Sequence, residues 1–131
     1  MVSVLRAASS VCHRDCPPPI VRAEAFGAWQ RLLQRDAVSL VTSGAVVAQS
    51  WRDPRRQANL ARLLTGVHVA ALDEDAGRRV GELLRANNTT DVADAHVSLL
   101  VHHQDRVLTS DVDDILALLR TRRVKALIVR V

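Results

Sequence analysis

From residue 23 onward the chain alternates helical with extended signals, and this alternation limits the possible folds more than any other feature. Ala23 to Arg35 carries Phe26, Trp29, Leu32 and Leu33 at helical spacing, with Arg31, Gln34 and Arg35 on the other side, which predicts an amphipathic helix. Val38 to Thr42 is a β-prone run, and Gly44 to Arg52 reads as a short helix capped by Thr42 or Ser43. Asp53 and Pro54 restart the chain as a cap and first turn, and Leu60, Leu63 and Leu64 make an apolar stripe that stops at Gly66. Val67 to Leu72 reads as a buried strand, Asp73 to Ala86 as a helix broken by Asn87-Asn88-Thr89-Thr90, and Asp91 to His103 as the next helix. Arg106 to Thr109 is a strand, Asp111 to Arg120 a helix, and Ala126 to Val131 a last strand. Strands separated by helices pair in parallel through right-handed crossovers. The expected fold is therefore α/β, a three-layer α/β/α sandwich with a mostly parallel central sheet of four or five strands.

Residues 23–131 make one domain, preceded by an atypical N-terminal segment, residues 1–22, in which Val2 to Leu5 offers a further strand. Pro17-Pro18-Pro19 marks a stiff, non-helical connection there. The opening MVSVLRAASSVC lacks the sustained apolar core of a secretory signal, and no apolar run is long enough to span a bilayer, so a cytoplasmic protein is expected. Cys12 and Cys16 are too few for a structural zinc site and too close in sequence to staple a fold. Eighteen Lys and Arg against fourteen Asp and Glu give a net charge of +4, which favours an anionic partner and equally describes a well-solvated Arg-rich surface. The only aromatics are Phe26, Trp29 and Trp51, so no platform exists for stacking successive bases, and contacts to nucleic acid would fall mainly on phosphate. The prevalence of Ala, Val and Arg resembles proteins of GC-rich bacteria.

In an open parallel sheet, ligands bind beyond the carboxyl ends of the strands. Asp111 follows the strand RVLT by two residues in LTSDVDDI, with Asp114 three residues later; Asp91 and Asp94 repeat that spacing in TTDVADAH. Clustered carboxylates repel unless a cation offsets them, and Mg²⁺ takes hard oxygen ligands while retaining waters, an arrangement suited to phosphodiester hydrolysis. The same spacing is also a helix-capping arrangement that stabilises any helix.

DVADAHVSLL followed by DRVLTSDVDDILALL resembles the C-terminal half of a PIN domain, and the upstream VVAQSWRDPRRQANLARLLTGVHVAALD is similar to the VapC-like toxin branch of that family. The match runs over about residues 23–131. The resemblance implies a Mg²⁺- or Mn²⁺-dependent endoribonuclease, the toxin of a type II toxin-antitoxin pair, with RNA as substrate, a small antitoxin protein as partner, and a homodimeric state. It makes Asp94 and Asp111 catalytic metal ligands with Asp114 as an accessory acid, and gives Asp91 a supporting or capping role. Gln49 stands where the family contributes a Glu, and as a poorer ligand it is assigned to a metal-bound water or substrate, or to a plain half-buried helix. After the first strand Arg6 occupies the place of an expected Asp; counted back from the helix that begins near Ala23, Asp15 falls at a more plausible distance, but its neighbours HRDCPPP do not look like a strand end, so this acid is expected to be absent rather than replaced by Asp15 from a loop.

Arg52, Arg55 and Arg56 are candidates for RNA phosphate contacts, with surface solvation as the alternative. Arg120, Arg122 and Arg123 are assigned to favourable helix C-terminal electrostatics, and His13, His68, His96, His102 and His103 to surface or capping roles. Two other functions are open: a PIN-like module that binds RNA or an antitoxin without catalysis, and a receiver-like phosphoacceptor domain, which the absence of an acid pair after an early strand disfavours.

Overall fold

A computed structural model describes residues 3–7, 38–53, 55 and 57–130, with β1 and Val38 described by backbone alone. The predicted helix from Ala23 to Arg35, the cysteines, Asp15 and His13 lie outside the described residues, as does Arg56.

The described chain is α/β. Strands β1 (Ser3–Ala7), β2 (Val38–Ser43), β3 (Val67–Ala70), β4 (Arg106–Thr109) and β5 (Leu127–Arg130) form one five-stranded sheet in the order β3-β2-β1-β4-β5. β2 pairs with β3 and β4 with β5 in parallel, whereas β1 runs antiparallel to both of its neighbours. The sheet is thus mixed: four strands share one direction and the central one opposes them. β3 lies at an edge of the described sheet, and Val69 is exposed, so the expectation of a buried strand there does not hold.

Five helices are described: α1 (Gly44–Ser50), α2 (Ala58–Leu64), α3 (Glu74–Asn87), α4 (Val92–Leu100) and α5 (Val112–Thr121). Their ends follow from local chemistry. Ser43 caps α1 by accepting from the Ala45 N–H at 2.9 Å, and Asp73 caps α3 by accepting from Ala76 N–H at 2.9 Å, with Glu74 and Asp75 in its positive first turn. α3 stops where Asn88 turns left-handed at φ 51°, letting Asn88 and Thr89 N–H groups reach back to the last carbonyls. Asp53 was expected to cap α2. Instead its Oδ1 accepts from Arg55 N–H at 3.0 Å in a local turn, and the helix begins only after Gln57, with no side-chain cap.

Alternation along the strands separates two apolar sets. Val41 and Val107 pack with Ile128 against Val46 of α1, Ala93 and Val97 of α4, and Ile115 and Leu119 of α5. Leu40 and Leu108 form the other set with Val67 and Val129. Outside the first set, Val80 and Leu83 of α3 pack on Ala95 of α4 and Leu118 of α5. α4 is consequently enclosed, and its residues 93–98 are all buried.

Candidate functional site

Two helices begin at the same side of this core. β4 ends at Thr109, whose hydroxyl accepts from the Asp111 N–H at 2.9 Å and so fixes the turn into α5. Asp111 is exposed, its Oδ2 accepts from Ser110 Oγ at 3.1 Å, and its side chain makes no capping bond to α5. Asp91, by contrast, is a cap: its Oδ1 accepts from Asp94 N–H at 2.9 Å. The two readings of the repeated acid spacing therefore separate. Asp91 stabilises a helix start, while the carboxylate of Asp111 is not spent on one.

Asp94 is the least comfortable of the acids. It is only 6% exposed, and among the described residues no donor bonds to its carboxylate. Burial, and then the charges of Asp91, Asp111 and Asp114, raise its pKa from 3.8 to about 6. Asp94 lines a cavity of about 70 Å³ together with Asp91, Asp114, Asn87 and Thr89, with Ala117 and Leu118 as its apolar members. Asn87 is already engaged: its Nδ2 donates to Leu83 O at 2.9 Å and its Oδ1 accepts from Thr121 Oγ1 at 2.7 Å.

Among the described residues no three His, Cys, Asp or Glu side chains converge closely enough to hold a metal ion by themselves. The donor chemistry nonetheless fits a hard divalent cation. Mg²⁺ commonly takes only one or two protein carboxylates and completes its shell with water and substrate phosphate, and a buried carboxylate with no donor bonded to it among the described residues, repelled by three neighbouring acids, gains from a further cation.

The remaining candidates are more dispersed. Gln49 is exposed on α1 and does not line the cavity. Arg52 is exposed, and its guanidinium is occupied in part by Ala48 O at 2.9 Å and Trp51 O at 2.8 Å, closing the end of α1; Arg55 is exposed. The position after the first strand does not reach the acids. Because β1 runs antiparallel, its last residue, Ala7, pairs with Val38 at the start of β2, and Ser3 at its beginning pairs with Leu108 near the end of β4. Arg6 therefore sits toward the end of the sheet opposite Asp111. A larger, open depression of about 370 Å³ lies at the start of α3, but its Asp73 is a cap and its Glu74 pairs with Arg78.

His96 was expected at the surface and is instead 2% exposed, with its Nδ1 2.7 Å from Ser43 Oγ. Burial lowers its pKa, opposed by the charge of Asp73. The sequence shows this only through the apolar character of most of α4, with Val92, Ala93, Ala95, Val97, Leu99 and Leu100, which suits a helix buried on more than one face. Arg122 is structural, as expected, but it serves α4 rather than its own helix, donating to Ser98 O and to Val101 O at 3.2 Å. Among the described residues no helix is long and apolar enough to cross a membrane. Comparison of the chain with protein-family models, curated proteins and solved structures returned no match.

Proposed function

We propose that the chain is a metal-dependent endoribonuclease of the PIN-domain type, a VapC-like toxin of a type II toxin-antitoxin pair with an α/β/α sandwich architecture. The observation that supports the reading is Asp94: buried, with no donor bonded to its carboxylate among the described residues, and lining a small cavity with Asp114, in the negative field of Asp91 and Asp111. Asp94, Asp111 and Asp114 would hold Mg²⁺ or Mn²⁺, which supplies charge neutralisation at the phosphate and a water of lowered pKa. Asp91 keeps the N-terminus of α4 ordered through its cap, and the Ser110–Asp111 bond orients the second carboxylate. Arg55, with Arg52, would steer RNA phosphates toward the site, and Gln49 would act at its margin. A cytoplasmic location, a cognate antitoxin protein and a homodimer belong to this proposal through the family resemblance.

The dispersed geometry gives a second reading some support, since Gln49 lies outside the cavity and no three ligands converge among the described residues. In that reading the domain is a PIN-like module that binds RNA or an antitoxin without cleaving. Purified protein incubated with structured RNA decides between them. Cleavage with Mn²⁺ or Mg²⁺ that stops with EDTA and is lost in Asp94→Ala and Asp111→Ala supports the nuclease; cleavage indifferent to metal or to these substitutions rejects it.

A further inference from the structure

We infer that Ser43 and His96 form a positioning pair whose buried hydrogen bond fixes the rotation of α4 and thereby holds the Asp94 carboxylate in its cavity. The inference rests on the reading of Asp94 as the centre of the site.

α4 needs such a device. Three of its six buried central residues are Ala93, Ala95 and Ser98, and the Ser98 hydroxyl is turned back onto Ala95 O at 2.8 Å within its own helix. Ala93 and Val97 pack on the sheet core and Ala95 on α3 and α5, so packing sets the rotation of the helix only as far as these short side chains interlock. A buried directional bond selects it sharply, because any other rotation strands two polar groups away from water.

The geometry links the two sides of the helix. Residues 94 and 96 project about 200° apart around an α-helix. His96 meets Ser43 at the end of β2, while Asp94 borders the cavity formed with residues of α3 and α5. Ser43 is itself anchored, since the same Oγ accepts from Ala45 N–H at 2.9 Å, and it is completely buried. The bond spans 53 residues of sequence and joins the start of α1 to the helix carrying Asp94.

Carbodiimide coupling of carboxyl groups to glycine ethyl ester, resolved by site with mass spectrometry, tests the pair. Asp105, 7% exposed just beyond the other end of α4, serves as the internal control. The His96→Leu protein is expected to label at Asp94 roughly tenfold faster relative to Asp105, the population shift that follows loss of one buried hydrogen bond. His96→Asn, which places an amide where Nδ1 stood, is expected to restore the wild-type ratio, and Ser43→Ala to raise it as His96→Leu does. If His96→Leu does not fold, Ser43→Ala against wild type gives the same comparison. An unchanged Asp94 ratio in a folded variant, or an equal rise at Asp94 and Asp105, overturns the inference. RNA cleavage by the same samples separates the two claims: no cleavage by the wild type alongside the expected labelling rejects the nuclease and keeps the pair, whereas intact cleavage with unchanged labelling rejects the pair alone.

Discussion

Replacing Asp94 with Asn should make the metal-free protein more stable at neutral pH, although it removes the residue on which the proposed function centres. In the unfolded chain this carboxyl ionises near 3.8, and in the folded chain only near 6. Between these values the folded protein carries a proton that the unfolded chain has released, so stability falls as pH rises through the interval, and the full loss is present above it. The shift corresponds to on the order of 3 kcal/mol. Asn keeps the shape without the charge, but its amide gives up about 1 kcal/mol where hydrogen bonding is incomplete, leaving a net gain of roughly 2 kcal/mol above pH 6 and a net loss of about 1 kcal/mol below about pH 4. His96 acts in the opposite sense: its lowered pKa means the unfolded chain takes up a proton first as pH falls below 6.5, which removes stability on the acid side. That contribution is common to both proteins and cancels in their difference. Urea unfolding of wild type and Asp94→Asn in chelator, from pH 4 to 8, gives the difference directly. A difference that does not change with pH, or a variant less stable than wild type at pH 7.5, would refute the reasoning.

Other substitutions test the packing around the site. Gly77 and Gly81 lie inside α3, where an added Cβ meets nothing within 4 Å, so Gly77→Ala and Gly81→Ala should each stabilise the protein by about 0.5 to 1 kcal/mol in thermal or urea unfolding. Ile115 is fully buried between α5 and the sheet, and Ile115→Ala should cost about 2 to 5 kcal/mol in the same assay. Arg122→Ala leaves the Ser98 and Val101 carbonyls at the end of α4 without their donor and should cost about 1 to 3 kcal/mol; an effect below 0.5 kcal/mol, the size of an ordinary surface change, would show that solvent replaces the guanidinium freely.

The part of the fold set by local chemistry was legible in the sequence. The strand signal at Arg106–Thr109 matches β4, and α3 and α5 lie within a residue of their predicted ends: Asp73 caps α3, Asn88 ends it, and the turn that Thr109 fixes at Asp111 starts α5. What local pattern does not carry is direction and neighbourhood. Nothing in Ser3–Ala7 encodes that β1 would insert at the centre of the sheet and run against it, since a strand reads the same in either direction until its partners are known. The same holds for the position of β3 at an edge of the described sheet, where Val69 is exposed despite an apolar run. At the site, acid spacing found Asp91, Asp94, Asp111 and Asp114, but only the hydrogen bonds distinguished a cap at Asp91 from a carboxylate at Asp94 that has no donor among the described residues. The Ser43–His96 bond, between residues far apart in sequence, needed the fold to become visible.

Calorimetric titration of the chelator-treated protein with Mn²⁺ addresses the acidic centre most directly. The account predicts saturable binding to wild-type protein, loss of that binding in Asp94→Asn, and marked weakening in Asp111→Asn. Binding of equal strength in wild type and Asp94→Asn, or no binding to the folded wild type even with RNA present, would contradict it.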